Sequence, residues 1–93
     1  MIHDIERIRV FFTGRVQGVY FRASTSKKAI QLGLNGWVRN LRDGRVEAVV
    51  EGPRHKIDEL IHWCEHSMPL SRVDDMLVEH EEPENIQGFE ILR

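Results

Sequence analysis

Gly14-Arg15-Val16-Gln17-Gly18-Val19-Tyr20-Phe21-Arg22 is the stretch on which the reading of this chain turns. Upstream, Ile8, Val10 and Phe12 alternate with Arg7, Arg9, Phe11 and Thr13, the period of a half-buried strand over residues 7–13. Downstream, Thr25, Ala29 and Leu32, with Ile30 alongside, share one helical face from about Arg22 to Leu32, while Lys27, Lys28 and Gln31 take the wet side. The stretch is therefore a strand-to-helix turn. Its two glycines permit a tight bend and a close backbone approach. Successive amides in such a loop make a concavity for an anion, and the following helix directs its positive end there. Arg22 adds a planar fork of donors suited to phosphate. Two readings stay open on these residues alone: a phosphate-binding loop, and a glycine-containing turn without a ligand.

Two familiar phosphate motifs are excluded. The nucleotide-binding loop requires Lys and Ser or Thr directly after its second glycine, whereas Val19 follows Gly18. The dinucleotide fingerprint requires a G-x-G spacing, which the stretch lacks.

Beyond the helix, Gly33 suits the left-handed position after its end, with Leu34 packing back. Residues 36–41 and 45–51 read as two strands joined at Asp43-Gly44, a hairpin signal. Val46, Ala48 and Val50 alternate with Glu47, Val49 and Glu51, so one face is expected to be core and the other mostly wet. Gly52-Pro53 opens a second helix, in which Ile57, Leu60, Ile61 and Cys64 follow the i, i+3, i+4, i+7 pattern and which ends before Pro69. Residues 72–79 form a strand with a broken alternation that suggests a bulge. A polar loop, 81–87, leads to a short strand at Phe89 and Ile91. The order predicts an α+β, ferredoxin-like βαββαβ sandwich: an antiparallel sheet, two helices on one face, and a short C-terminal strand.

The 93 residues suit one domain, 1–93, and 41% apolar with 30% charged residues is ordinary for a globular chain. The single cysteine, Cys64, excludes an internal disulfide and fits a reducing cytoplasm. Met1 to Arg7 has early charges and no apolar segment, unlike a signal peptide, and no apolar run reaches membrane-spanning length. The net charge of −2 hides an asymmetry: residues 1–56 hold 11 Lys/Arg against 5 Asp/Glu, residues 57–93 only 2 against 10. Such polarity fits either a basic anion site beside an acidic face, or halves that do not map onto faces.

The second informative stretch is Gly36-Trp37-Val38-Arg39-Asn40, with Asp43-Gly44-Arg45-Val46 and Glu51-Gly52-Pro53 after it. Together with the first, it closely resembles the acylphosphatase family, over a range from about residue 7 to the C-terminus. One departure is Phe12, where the family's first signature usually has an aliphatic residue; it concerns packing. The family includes acylphosphatase-like domains at the front of larger maturation enzymes, and an end at Arg93 favours the free-standing enzyme.

The resemblance implies hydrolysis of a small acyl phosphate to a carboxylate and inorganic phosphate, without metal or cofactor. By match to the motif, Arg22 binds phosphate and Asn40 holds the attacking water. The loop amides of Arg15, Val16, Gln17, Gly18, Val19 and Tyr20 cradle the phosphoryl oxygens. Inorganic phosphate is then product and competitive inhibitor, and the protein is expected to be a cytoplasmic monomer with no nucleic-acid or membrane partner. Gln17 either bonds substrate or braces the loop, and bracing is the preferred reading. Arg15, Arg39, Arg42 and Arg45 are either steering charges or solvated strand-edge charges.

His62 and His66 have a zinc-compatible helical spacing, but with His55 and Glu59 they read as a solvated stripe. Glu79, Glu81, Glu82 and Glu84 read as a solvated edge and loop, and Cys64 as a core thiol. RNA binding on the open sheet face is the rival function. It asks for paired aromatics on the central strands, for which only Phe11 and Trp37 offer themselves, and the RNA-binding consensus is missing. A regulatory small-molecule module is the third alternative.

Overall fold

The computed structural model describes residues 4–93; the expectation of no leader at the N-terminus includes Met1 to His3, which lie outside the described residues. The elements run β1 (Glu6–Arg15), α1 (Phe21–Gln31), β2 (Asn35–Asn40), β3 (Val46–Gly52), α2 (Arg54–His66), β4 (Arg72–Glu81) and β5 (Phe89–Ile91). They form one sheet in the order β4-β1-β3-β2-β5. β1 pairs antiparallel with β3 and β4, and β2 antiparallel with β3, as the ferredoxin-like plan requires. β5 adds to the free edge of β2 in parallel, so the complete sheet is mixed.

Both helices bury their apolar stripes on one face of this sheet. Ile8, Val10, Phe12, Val38, Val46, Ala48 and Val50 meet Phe21 and Ala29 of α1 and Ile57, Leu60 and Cys64 of α2 in one core. On α1 the buried stripe is Phe21, Thr25, Ser26 and Ala29. Ile30, expected beside it, is 60% exposed. It lies one turn beyond Ser26, at the margin of the stripe where only that small side chain is covered, and in the last turn Ala29 takes the inward position. The helix ends as read: Gly33, at φ 73, donates to the carbonyl of Ile30, and Leu34 to that of Ala29. That is the paired bonding of a left-handed helix stop.

The expectation that one face of β3 is mostly wet is corrected. All seven residues of β3 are buried, Glu47 to 4% and Glu51 to 1% exposure. β3 is the central strand, and no helix covers its second face; long side chains from its neighbours do so instead. Arg7 donates to Glu51 Oε2 at 2.9 Å and to Glu81 Oε1 at 2.8 Å. Arg9 bonds Glu81 Oε2 at 2.6 Å and also Glu47, while Arg39 donates to Glu47 Oε1 at 2.7 Å. Trp37 lies between Arg9 and Arg39, with guanidinium carbons 5.7 and 5.2 Å from its ring centre. Arginine stems cover apolar surface as well as carrying charge, so they shield Val49 beneath.

Glu81, expected to be solvated, belongs to this lattice, and so does the polar loop. The amides of Glu84 and Ile86 donate to the two oxygens of Glu51 at 2.8 and 3.1 Å. The basic N-terminal half and the acidic C-terminal half thus interlock along β1 and β4 rather than forming separate faces. The bulge foreseen in β4 is present: the β1–β4 register shifts between Thr13 and Gly14. Gly14 is needed there, since a Cβ would stand 2.2 Å from the carbonyl oxygen of Arg72. Its role is strand packing and not approach to a ligand.

Candidate active site

β1 and β2 both run against β3, so they run in the same direction. Loop 16–20 leaves the C-terminal end of β1, and Asn40 closes β2 at that same end of the sheet. Phe12 and Asn40 both pair with Val46, from opposite sides. The topology therefore brings the loop of the first motif and Asn40 to Val46 of the second to one end of the sheet, while Glu51 and Gly52 lie at the other end, opposite Arg7 and Glu6.

The loop is built from alternating backbone hands. Gly18 and Tyr20 have φ of 74° and 63°, while Gln17 and Val19 are not among the positive-φ residues. Alternation of this kind turns successive N–H groups toward one side, as in anion-binding nests. The amides of residues 16–20 meet no acceptor among the described residues. Tyr20, the residue before α1, makes no side-chain cap, and the first turn holds no acid. The helix end therefore keeps its donors and its partial positive charge for whatever lies in front of it.

Core contacts hold the loop at both ends. Val16 is buried at 1% exposure, and Phe21 meets Phe12 edge to face with ring centres 5.0 Å apart. Phe12, the departure from the family's usual aliphatic residue, thus packs directly under the start of α1. In the middle, Gln17 Nε2 donates to the carbonyls of Leu41 and Arg45 at 2.8 and 3.0 Å. Gln17 is a brace, as expected, and it joins the loop to the β2–β3 hairpin.

Asn40 follows the fully buried Val38 by two residues, so it faces the helical side of the sheet. Its Oδ1 is buried and has no hydrogen-bond partner among the described residues. An unmatched buried acceptor costs roughly 1–3 kcal/mol, so a native one marks a position where a partner is expected to arrive.

Arg22 is half-buried on the first turn of α1. It borders an open cavity of about 360 Å³ together with Val16, Gly18, Tyr20, Phe21, Ala23 and Ile91. Asn40 is not part of that lining and stands at the neighbouring strand end. Among the described residues, most arginines of the sheet and its hairpin are paired: Arg7 and Arg9 as above, Arg39 with Glu47, Arg45 with Asp43 and Arg72 with Asp74. Arg54 on α2 joins Asp58 and Glu6. Arg15, Arg22 and Arg42 form no such pair among the described residues. Arg39 and Arg45 are therefore committed to neighbours, and Arg45 also lies 4.7 Å over the Phe11 ring.

Ile91 was missed as a site residue. Its only sequence signal was membership of a short closing strand, and it reaches the cavity because β5 docks beside Val38. On α2, His62 and His66 are exposed with ring centres 4.5 Å apart. Cys64 is buried against Thr25 Oγ1 at 3.5 Å, and burial pushes its thiol up to about 12. The aromatics of the open sheet face, Phe11 and Trp37, are covered by arginines.

The sequence pattern of the family described as Acylphosphatase matches residues 8–91. An acylphosphatase of Trichormus variabilis is 59% identical over 87 residues, covering 94% of this chain and 86% of that protein. One from Haloquadratum walsbyi is 54% identical over 94% of each chain. The crystal structure of acylphosphatase from Bacillus subtilis aligns with a TM-score of 0.90 at 35% identity, over 95% of this chain and 99% of that one.

Proposed function

This chain belongs to the acylphosphatase family, and from that premise we propose that Arg22 and the amides of residues 16–20, with that of Arg15 at the end of β1 beside them, bind the phosphoryl group while Asn40 holds the attacking water. The enzyme hydrolyses the carboxyl–phosphate anhydride of a small acyl phosphate to a carboxylate and inorganic phosphate. In the proposed path, water oxygen attacks phosphorus in line with the departing carboxylate oxygen. The new phosphorus–oxygen bond forms as the anhydride bond breaks, and its electron pair leaves with the carboxylate.

A carboxylate is a good leaving group and needs little protonation, so the protein's task is positioning and charge stabilisation. Donors fixed before the reaction serve that task best. The open amides of residues 16–20, the uncapped helix end and the unpaired Arg22 all support this reading. Asn40 accepts from water through Oδ1, and its Nδ2 is free to donate. The acids of the two motifs are Asp43, which is turned to Arg45, and Glu51, which is held by Arg7 and the amides of Glu84 and Ile86. The water's proton is therefore assigned to a phosphoryl oxygen of the substrate, and neither metal nor cofactor is invoked. Arg15 and Arg42 remain to attract an anion, whereas Arg39 and Arg45 do not. Inorganic phosphate acting as product inhibitor, and a cytoplasmic monomer, complete the proposal. No helix among the described residues is long and apolar enough to cross a membrane, and the single thiol is buried and free.

The observation that carries the assignment is the buried Oδ1 of Asn40, which has no partner among the described residues. Its test is steady-state hydrolysis of acetyl phosphate, with chelator present and inorganic phosphate as competitor. Asn40→Ala is expected to lower kcat by ~10²–10³, the usual loss for a preorganised transition-state group, and to leave the phosphate inhibition constant close to that of the parent. Arg22→Ala is expected to lose both turnover and inhibition. Equal inhibition of Arg22→Ala and the parent would remove Arg22 from the site. A bell-shaped rate profile traced to a histidine would refute the substrate-assisted proton transfer.

A further inference from the structure

We infer that Gln17 is a positioning residue, whose carboxamide sets the distance between the phosphate loop and the water-holding Asn40. The inference rests on the site proposed above and goes beyond it, because in this scheme the Gln17 backbone amide faces the phosphoryl group while its side chain touches neither substrate nor water. Both hydrogens of one side-chain nitrogen are used: Nε2 donates to Leu41 O at 2.8 Å and to Arg45 O at 3.0 Å. The two carbonyl acceptors fix which end of the carboxamide faces the hairpin, since only the NH2 end can donate twice.

The location of these acceptors gives the bond its consequence. Leu41 directly follows Asn40, and Arg45 directly precedes Val46, the cross-strand partner of Asn40. A third bond, from Leu41 N to Arg45 O at 2.8 Å, closes the hairpin at the same point. Gln17 therefore grips both strands of the hairpin on the turn side of the Asn40–Val46 pair. Its own backbone lies inside the loop, between the core-anchored Val16 and the left-handed Gly18. One side chain thus spans the two halves that in-line attack needs in register: the loop that fixes phosphorus and the strand end that fixes water. Misplacing reacting groups by about 1 Å can cost ~10² in rate.

The experiment compares Gln17→Met and Gln17→Glu with the parent and with Arg22→Ala. Its readouts are kcat and KM for acetyl phosphate, the inhibition constant for inorganic phosphate, and thermal midpoint. Gln17→Met keeps the length and removes the donors. It is expected to lower kcat by ~10–10² while KM and phosphate inhibition change less than about threefold, because the loop and Arg22 bind the anion without the hairpin. Gln17→Glu sets a carboxylate against two carbonyls. It is expected to be slow at neutral pH and to regain rate as pH falls and the carboxyl becomes a donor; the parent is expected to show no such gain. The low-pH gain is a readout that loss of fold stability alone does not produce.

A Gln17→Met enzyme with parental kcat, beside an inactive Arg22→Ala, would overturn the inference and leave the site standing. A lowered thermal midpoint with parental kcat below the transition would assign Gln17 to stability alone, and likewise overturn it. Should Gln17→Met fail to fold, a Gln17→Glu enzyme without the acid gain would do the same. Parental turnover and phosphate inhibition by Arg22→Ala would instead bring down the site, and the inference with it.

Discussion

At the scale of single residues, the site is marked by groups left without partners in a fold that otherwise pairs its charges closely. Among the described residues, Arg22 holds no carboxylate while Arg7, Arg9, Arg39 and Arg45 do, and Asn40 buries an oxygen with no donor. A guanidinium grips phosphoryl oxygens through a planar fork, which an ammonium cannot reproduce. Arg22→Lys, though charge-conserving, is therefore expected to keep only a small fraction of the parental kcat/KM, with weakened phosphate inhibition; assays with acetyl phosphate check this. Cys64 shows the opposite condition. Burial raises its thiol to about 12, so thiolate is scarce at neutral pH. The native protein is expected to resist iodoacetamide and to be alkylated promptly in denaturant, which mass spectrometry resolves.

At the scale of elements, the periodicities carried nearly all of the plan, and particular residues explain where they stopped. Strand β1, both helices and the Gly33 stop follow from local spacing. The face of β3 that holds Glu47 and Glu51 did not, because its burial depends on Arg7, Arg9 and Arg39 from adjacent strands. Two-residue alternation contains no information on which neighbours will cover a charge. Ile30 misled for the converse reason: apolarity alone cannot tell which side of a helical stripe a residue one step away will take. The loop and Asn40 could be singled out as motifs, but Ile91 entered the site only through the parallel docking of β5. Burial turns these differences into stability. Phe12, 1% exposed and edge to face with Phe21, is expected to cost about 3–5 kcal/mol on change to Ala. Ile30→Ser, on the exposed side of α1, should stay within roughly 0.5 kcal/mol. Urea unfolding of the two variants compares them directly.

At the scale of the whole molecule, the buried charge lattice fixes how stability depends on acid. Glu81 is held down to about 2 by side-chain bonds from Arg9 and then Arg7, which outweigh the cost of burial. For Glu51, burial acts upward, but the amides of Glu84 and Ile86 and the Arg7 guanidinium together hold it below the usual carboxylate range. A carboxyl with a depressed folded pKa binds fewer protons in the native state than in the unfolded chain. Its contribution is complete above the unfolded value, about 4.3, and is lost as pH falls toward the folded one. Stability should therefore decline between about pH 4.3 and pH 2, with both carboxylates contributing. The lattice joins β1, β3 and β4 to the loop before β5, so its loss is expected to loosen the sheet and the C-terminal strand together. Glu81→Gln removes one titrating member and leaves Arg7 and Arg9 less well paired. The variant should be less stable than the parent at pH 7, and the difference should shrink as pH approaches 2, where the parent has lost the same charge. Urea midpoints taken at intervals from pH 7 to pH 2 measure both trends. A constant gap across that range would show that the carboxylate's charge contributes nothing, and that the side chain acts through its packing alone.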